Sequence, residues 1–182
     1  MNTVIYQGKT KKGNDIIVRY PRMGDQDEMA HYINALSKEQ TFIRYQGETI
    51  SLEEETKYLT KLLEHIEKKQ EVSLLVECNS RIIALSSIGM QDKVHQHIGL
   101  FGISVAKDYR GEGVGKLLME QVIKESIKQL PLLKIIMLHV FANNPLAESL
   151  YTSFGFIQYG LLPKGVFYKG DYVDLKYMFK EV

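Results

Sequence analysis

The sequence contains no tryptophan, one cysteine and four prolines among its 182 residues. A single cysteine, Cys78, excludes an internal disulfide and argues against a cysteine-based metal site, so we predict no bound metal. Lysine and arginine number 23 against 22 aspartate and glutamate, a balance that gives no reason to expect binding to nucleic acid or an anionic membrane surface. No apolar run is long enough to span a bilayer, and no signal peptide is recognisable. We therefore expect a cytoplasmic protein.

The hydrophobic pattern predicts one α/β domain over residues 1–182, with a mixed, mostly antiparallel sheet flanked by helices. Residues 1–15 contribute to a predicted N-terminal hairpin whose tip, with Lys9, Lys11 and Lys12, is expected to be solvated. Ser51 and Glu54 form a capping-box pattern that predicts the start of the second helix. The predicted helices cover residues 26–38, 51–66, 113–129 and 145–154. The predicted strands cover residues 4–7, 15–20, 72–78, 81–90, 95–105, 133–141, 156–162, 166–168 and 172–180. The run 133–141 is apolar on both faces, so we expect it to form a central buried strand.

Residues 99–118 predict a strand, a tight glycine-rich loop and a helix. The loop has the spacing R-x-x-G-x-G at Arg110, Gly113 and Gly115. Unpaired N–H groups at a helix start, glycines that allow close approach and a flanking Arg110 and Lys116 together suit a phosphate or pyrophosphate. The spacing fits neither a P-loop nor the dinucleotide-binding G-x-G-x-x-G. Taken alone, the loop could also be a tight turn with incidental charges.

A second motif, N-x-x-A-x-x-L-Y-x-x-x-G-F, extends from Asn144 to Phe156. The two motifs, separated by one predicted strand, resemble those of the GNAT N-acetyltransferase superfamily. The segment 170–178 is also similar to the closing strand of its bacterial small-molecule and protein amine acetyltransferases. The resemblance implies acetyl transfer from acetyl-CoA to a primary amine by direct attack, and a central sheet splayed at the cofactor site. It also suggests a homodimer. A non-catalytic acyl-CoA-binding sensor or scaffold is the alternative.

The resemblance also implies which residues hold the cofactor. The pyrophosphate is expected at the backbone N–H groups of the loop, the pantetheine arm at the preceding strand end, and Asn144 at that arm through its amide. Asn144 also fits a plain helix cap. The expected cofactor-binding residues are Ile103, Val105, Arg110, Gly111, Gly113, Val114, Gly115, Lys116, Asn144 and Ala147.

For catalysis, the resemblance places Tyr151 as the general acid that protonates the leaving thiolate; the alternative is a core tyrosine. His97 stands where relatives often carry a glutamate base, so it is either the base or a surface strand residue, with Glu77 as the fallback. The acceptor pocket is expected to include Phe42, Arg44, Tyr45 and Tyr168. The near-neutral charge does not choose between a polyamine, an aminoglycoside, an amino acid and a protein N-terminus.

Overall fold

A computed structural model describes residues 3–182; residues 1 and 2 of the predicted hairpin segment lie outside the described residues. The chain divides into two compact units. The first unit comprises residues 1–89 and 102–131, and the second comprises residues 90–101 and 132–182. No helix within residues 3–182 is long and apolar enough to cross a membrane.

In the first unit, the strands lie side by side in the sheet in the same order as they occur along the chain. Its strands are β1 (Val4–Lys9), β2 (Asp15–Arg19), β3 (Glu71–Cys78), β4 (Arg81–Met90) and the second half of β5 (Ile98–Val105). Each of the first three strands pairs antiparallel with the next strand along the chain. Paired strands are therefore connected by a turn or by intervening helices. The predicted N-terminal hairpin is present.

Three helices belong to the first unit: α1 (Gln26–Glu39), α2 (Leu52–Glu67) and α3 (Val114–Gln129). The predicted capping box starts α2: the Glu54 N–H donates to Ser51 Oγ at 3.2 Å, and the Ser51 N–H donates to Glu54 Oε2 at 2.8 Å. Apolar side chains from α1, α2 and the sheet form the core of this unit. They are Met29, Tyr32, Leu36, Leu59, Leu62, Leu75 and Ile82.

The second unit contains the first half of β5 together with the rest of the chain. Its further elements are β6 (Ile135–Phe141), α4 (Pro145–Ser153), β7 (Ile157–Tyr168) and β8 (Asp171–Glu181). The strand order is β5-β6-β8-β7. β5 pairs parallel with β6 at residues 98–100, whereas β6 and β7 each pair antiparallel with β8. The result is the predicted mixed, mostly antiparallel sheet.

Two predictions about strands are wrong. The segment 95–97 is not strand: a 3₁₀ turn covers Lys93–His95, and His97 lies in the turn before β5. β6 is not buried on both faces, because its residues alternate between buried and accessible and His139 is exposed. Here one face of the sheet remains open, and its apolar side chains stack on one another, as the His139 and Tyr177 rings do at 4.6 Å between centroids. The apolar composition of β6 alone could not distinguish a face that is open to solvent from one that is covered by other elements.

Candidate active site

The glycine-rich loop presents free backbone donors at the start of α3. Gly111 and Gly113 both have positive φ, 77° and 88°, and Gly113 is the N-cap of the helix. Among residues 3–182, the N–H groups of residues 111–116 have no hydrogen-bond acceptor. The first turn of α3 also carries no acidic side chain. Unpaired N–H groups and the positive end of the helix dipole therefore make this loop an anion-binding surface.

The guanidinium of Arg110 is bound to neighbouring protein groups and is not a free cation. Its guanidinium forms a two-point ion pair with Glu39 at the end of α1, with Nη2 and Oε2 2.8 Å apart. Its Nε donates to the Val105 carbonyl at 2.9 Å, and its backbone N–H donates to the Lys107 carbonyl at 3.3 Å. Arg110 thus ties the end of β5 and the loop to α1, and its donors are already engaged.

The end of β5 is fixed from the first unit. Ile103 and Val105 are both half-buried, and Ser104 between them hydrogen-bonds the Tyr32 hydroxyl of α1 at 2.8 Å. The Ala106 N–H donates to the Ile83 carbonyl of β4. The strand end predicted to contact pantetheine is therefore held by α1 and by β4.

In the second unit, Asn144 and Ala147 form the N-terminal cap of α4. Asn144 Oδ1 accepts the Ala147 N–H at 3.2 Å, and Pro145 occupies the first helical turn. The cap uses only the oxygen of the side chain. Within residues 3–182 the Asn144 amide nitrogen has no partner, so the cap leaves a donor available for a ligand.

Tyr151 lies on the buried side of α4. Its ring packs edge-on against Phe101, with ring centroids 5.8 Å apart, and lies tilted against Phe156, with centroids 6.2 Å apart. Burial raises the pKa of the Tyr151 hydroxyl to about 12. No side chain or carbonyl of residues 3–182 hydrogen-bonds this hydroxyl, yet the oxygen is not among the fully buried unpaired polar atoms. The group is therefore protonated at neutral pH and has a free hydroxyl.

The two predicted bases have different surroundings. The His97 carbonyl accepts the Lys134 and Ile135 N–H groups, and the half-buried imidazole has no partner among residues 3–182. Glu77 belongs to the first unit, where its carboxylate pairs with Arg19 at 2.8 Å. Arg19 also forms a two-point pair with Asp25 at 2.7 and 2.8 Å. The charge of Glu77 is thus already balanced within a buried network.

Phe42, Arg44 and Tyr45 of the predicted acceptor pocket lie in the irregular segment between α1 and α2. The Arg44 guanidinium stacks over the Tyr45 ring at 5.2 Å, and Phe42 is exposed. Tyr168 lies in the second unit, is buried, and packs edge-on against Phe141 at 5.4 Å. Within residues 3–182, no three His, Cys, Asp or Glu side chains lie close enough to hold a metal ion.

Residues 29–156 match the family model described as the acetyltransferase (GNAT) family. The chain belongs to this family. Among curated proteins, it is 32% identical over 116 residues to the spermidine N(1)-acetyltransferase of Vibrio cholerae, a match that covers 63% of this chain and 66% of the relative. The chain thus spans slightly less than two thirds of that relative's length.

Solved structures of family members agree with this fold. A GNAT acetyltransferase from Streptococcus pneumoniae has a TM-score of 0.83 and 27% identity, covering 92% of this chain and 99% of the other. The spermidine N-acetyltransferase of Vibrio cholerae, solved with CoA and spermine, has a TM-score of 0.74 and 26% identity, covering 91% and 95%. The predicted family and fold are confirmed, and an acetyl-CoA-dependent N-acyltransferase is the enzyme class that agrees with them.

The roles of several residues near this site could not be predicted from the sequence. Glu39 and Glu112 have no local signal: each gains its role from a partner far along the chain, Arg110 for the first and the N-terminal hairpin for the second. The pairing of Arg19 with Glu77, 58 residues away, is of the same kind. Only a covariation signal from many relatives could have indicated such long-range pairs.

Proposed function

We propose that the protein is an acetyl-CoA-dependent N-acetyltransferase that acts on a primary amine in the cytoplasm, where this co-substrate is used. The observation that carries the proposal is the run of unpaired N–H groups at residues 111–116, within the family's R-x-x-G-x-G spacing. These groups would bind the pyrophosphate of CoA. Ile103, Val105, Asn144 and Ala147 would line the pantetheine arm, as the resemblance implies.

The acceptor class that we propose is a polyamine. The support is the similarity to the Vibrio cholerae spermidine N(1)-acetyltransferase and to its structure with CoA and spermine. Phe42, Arg44, Tyr45 and Tyr168 are the residues proposed to line the acceptor pocket.

In the proposed reaction, the neutral amine nitrogen attacks the thioester carbonyl carbon, and the C–S bond then breaks. The leaving sulfur takes a proton from Tyr151, and the nitrogen, which is positively charged after the attack, loses one proton, which restores the Tyr151 hydroxyl. The pKa of Tyr151 is about 12, whereas that of a thiol is near 8.5. The hydroxyl therefore stabilises the leaving thiolate by a strong hydrogen bond in the transition state, without complete transfer of its proton at that point. An alkyl ammonium with a pKa of ~10.4 costs roughly 4–5 kcal/mol to deprotonate at pH 7. We propose His97 as its base, since Glu77 is paired with Arg19.

The test is the release of CoA thiol from acetyl-CoA in the presence of single amines: spermidine, spermine, an aminoglycoside, a free amino acid and a peptide with a free N-terminus. We expect release with spermidine or spermine. Binding of acetyl-CoA without release by any amine would instead support the sensor or scaffold, an alternative favoured by the engagement of Glu77 in an ion pair.

We also propose a homodimer formed through one face of the second unit. Met137, His139, Tyr159, Tyr177 and Phe179, named here the aromatic face, project from three neighbouring strands and contact one another, with Tyr159 and Phe179 5.7 Å apart. Tyr159 is 51% exposed. A face with no acidic or permanently cationic side chain can meet its own copy without charge repulsion, and large apolar patches are rare on monomers.

A further inference from the structure

We propose that the N-terminal hairpin is part of the cofactor site, with Lys11 as a cation for the phosphates of acyl-CoA and Glu112 as the residue that positions it. The inference rests on the proposed function, because it adds a contact to the ligand proposed for the loop. It gives a role to a segment whose lysines the sequence predicts to be only solvated.

The tip of the hairpin packs on the loop rather than extending into solvent. The Lys11 N–H donates to the Glu112 carbonyl at 3.0 Å. The Glu112 side chain is only 3% exposed and pairs with Lys12 at 3.1 Å, while its Oε2 accepts from the Asn14 amide at 3.3 Å. A hydrogen bond to Thr10, with further ones to Lys12 and Asn14, holds the pKa of Glu112 below its usual value. Glu112 therefore stays ionised and fastens the hairpin to the loop.

This fastening lays the Lys11 side chain across the start of α3. A Cβ added to Gly113 would lie 3.5 Å from Lys11 Cε and 3.6 Å from its Cγ. The methylene chain thus passes over the N-cap residue, beside the unpaired N–H groups of the loop. A Cβ at this position would be in van der Waals contact with the lysine chain.

The charges near the loop explain why Lys11 matters. The guanidinium of Arg110 is paired with Glu39, and the ammonium of Lys12 with Glu112. Lys11 forms no ion pair with any residue of 3–182. A cation beside the positive end of a helix dipole is unfavourable on its own. An anion bound between Lys11 and the N–H groups removes that penalty and gains a charge-assisted hydrogen bond.

The experiment measures the affinity of the full chain for CoA by calorimetric titration. Lys11→Gln is compared with Lys9→Gln, a matched control on the same hairpin whose lysine already pairs with Asp15 at 2.7 Å. We expect Lys11→Gln to raise Kd about fivefold, Lys9→Gln to change it less than about twofold, and Lys11→Arg to restore it. Both lysines are exposed, so neither change disturbs the core.

Repeating the titration with 3′-dephospho-CoA identifies the phosphate. A penalty that disappears with this ligand places Lys11 at the 3′-phosphate, and one that persists places it at the pyrophosphate; either result supports the proposal. Equal Kd values for Lys11→Gln, Lys9→Gln and the parent chain overturn it and leave the proposed function intact. If the parent chain itself does not bind CoA, the proposed function fails instead.

Glu112→Gln tests the positioning role. We expect KM for acetyl-CoA to rise about threefold or more with kcat nearly unchanged, because the loop loses its hold on the hairpin and not a reacting group. Glu120→Gln, an exposed change on the outer face of α3, is the control. A fall in kcat with constant KM would contradict the positioning role of Glu112.

Discussion

Tyr151 has a core position, and the chemical role that we propose for it depends on its hydroxyl. Its ring is packed between Phe101 and Phe156, which explains why the residue also reads as an ordinary core tyrosine. Its hydroxyl, however, has no protein partner within residues 3–182. Its oxygen is not fully buried, so the hydroxyl remains able to donate a hydrogen bond to a ligand.

Replacing Tyr151 with phenylalanine should lower kcat by about 10²-fold or more, while Kd for CoA stays within about twofold. The fold should tolerate the change, because no hydrogen bond of residues 3–182 depends on that hydroxyl. Tyr159→Phe, which removes an exposed hydroxyl in the same unit, is the control for both measurements. Full activity of Tyr151→Phe would show that another group protonates the thiolate.

Asp25 should link stability to pH. Burial alone would raise the pKa of its carboxyl, but hydrogen bonds from Arg19 and from the Arg22 N–H outweigh this and lower the pKa. The folded state therefore binds this proton less readily than the unfolded state. The resulting stabilisation is complete above a pH of about 4 and disappears as pH falls through the lower, folded-state pKa.

Urea unfolding of Asp25→Asn checks this link. At pH 7 we expect a loss of roughly 2–4 kcal/mol, because a buried pair is broken, and a shallower decline of stability with acid than in the parent chain. Asp15→Asn removes only the exposed pair with Lys9 and should cost less than about 1 kcal/mol. Equal acid sensitivity of Asp25→Asn and the parent chain would contradict the assignment.

Among the structural elements, the helix caps could be predicted from local chemistry, whereas pairs of residues far apart in the sequence could not. Ser51 capping α2 and Asn144 capping α4 follow from hydrogen bonds between near neighbours, and both are present. The glycines before α3 likewise predict the tight loop that is present there. The pairing of Arg110 with Glu39 spans 71 residues and has no local signature.

The loop before α3 depends on Gly113, whose φ of 88° strains any residue with a side chain. Gly113→Ala should cost about 1 kcal/mol of stability, because alanine is strained at this φ, and it should weaken acetyl-CoA binding, because relief of the strain would move the N–H groups of the loop. Gly24→Ala is a matched control: φ is +106° and no atom lies within 4 Å of the added carbon. Thermal unfolding measures the strain, and titration with acetyl-CoA measures the binding. Unchanged binding by Gly113→Ala would contradict the assigned site.

For the whole molecule, the order of helices and strands predicts an α/β fold with a mixed sheet and the two motifs indicate the family, whereas the open face of the sheet could not be predicted. Apolar residues on both faces of β6 suggested burial on both sides, and the exposed His139 shows one open face. The single-domain organisation over residues 1–182 stays a prediction. We expect a second copy of the chain to cover the aromatic face, and the oligomeric state in solution tests this.

Sedimentation equilibrium should give a dimer for the parent chain. Tyr159→Lys should shift the protein toward monomer, because two copies would then bring cations into an apolar contact. Tyr172→Lys, which places the same charge at an exposed residue near the start of β8 and outside the aromatic face, is the control. A parent chain that is monomeric at high micromolar concentration would rule out this dimer.

Acetyl transfer from acetyl-CoA to a polyamine can be followed by incubating the protein with spermidine and acetyl-CoA that carries a ¹³C-labelled acetyl group, and analysing the products by mass spectrometry. We expect labelled, singly acetylated spermidine together with free CoA, and far less of both from Tyr151→Phe. Acetyl-CoA bound but intact, with spermidine and the other amines unmodified, would contradict the proposed transfer.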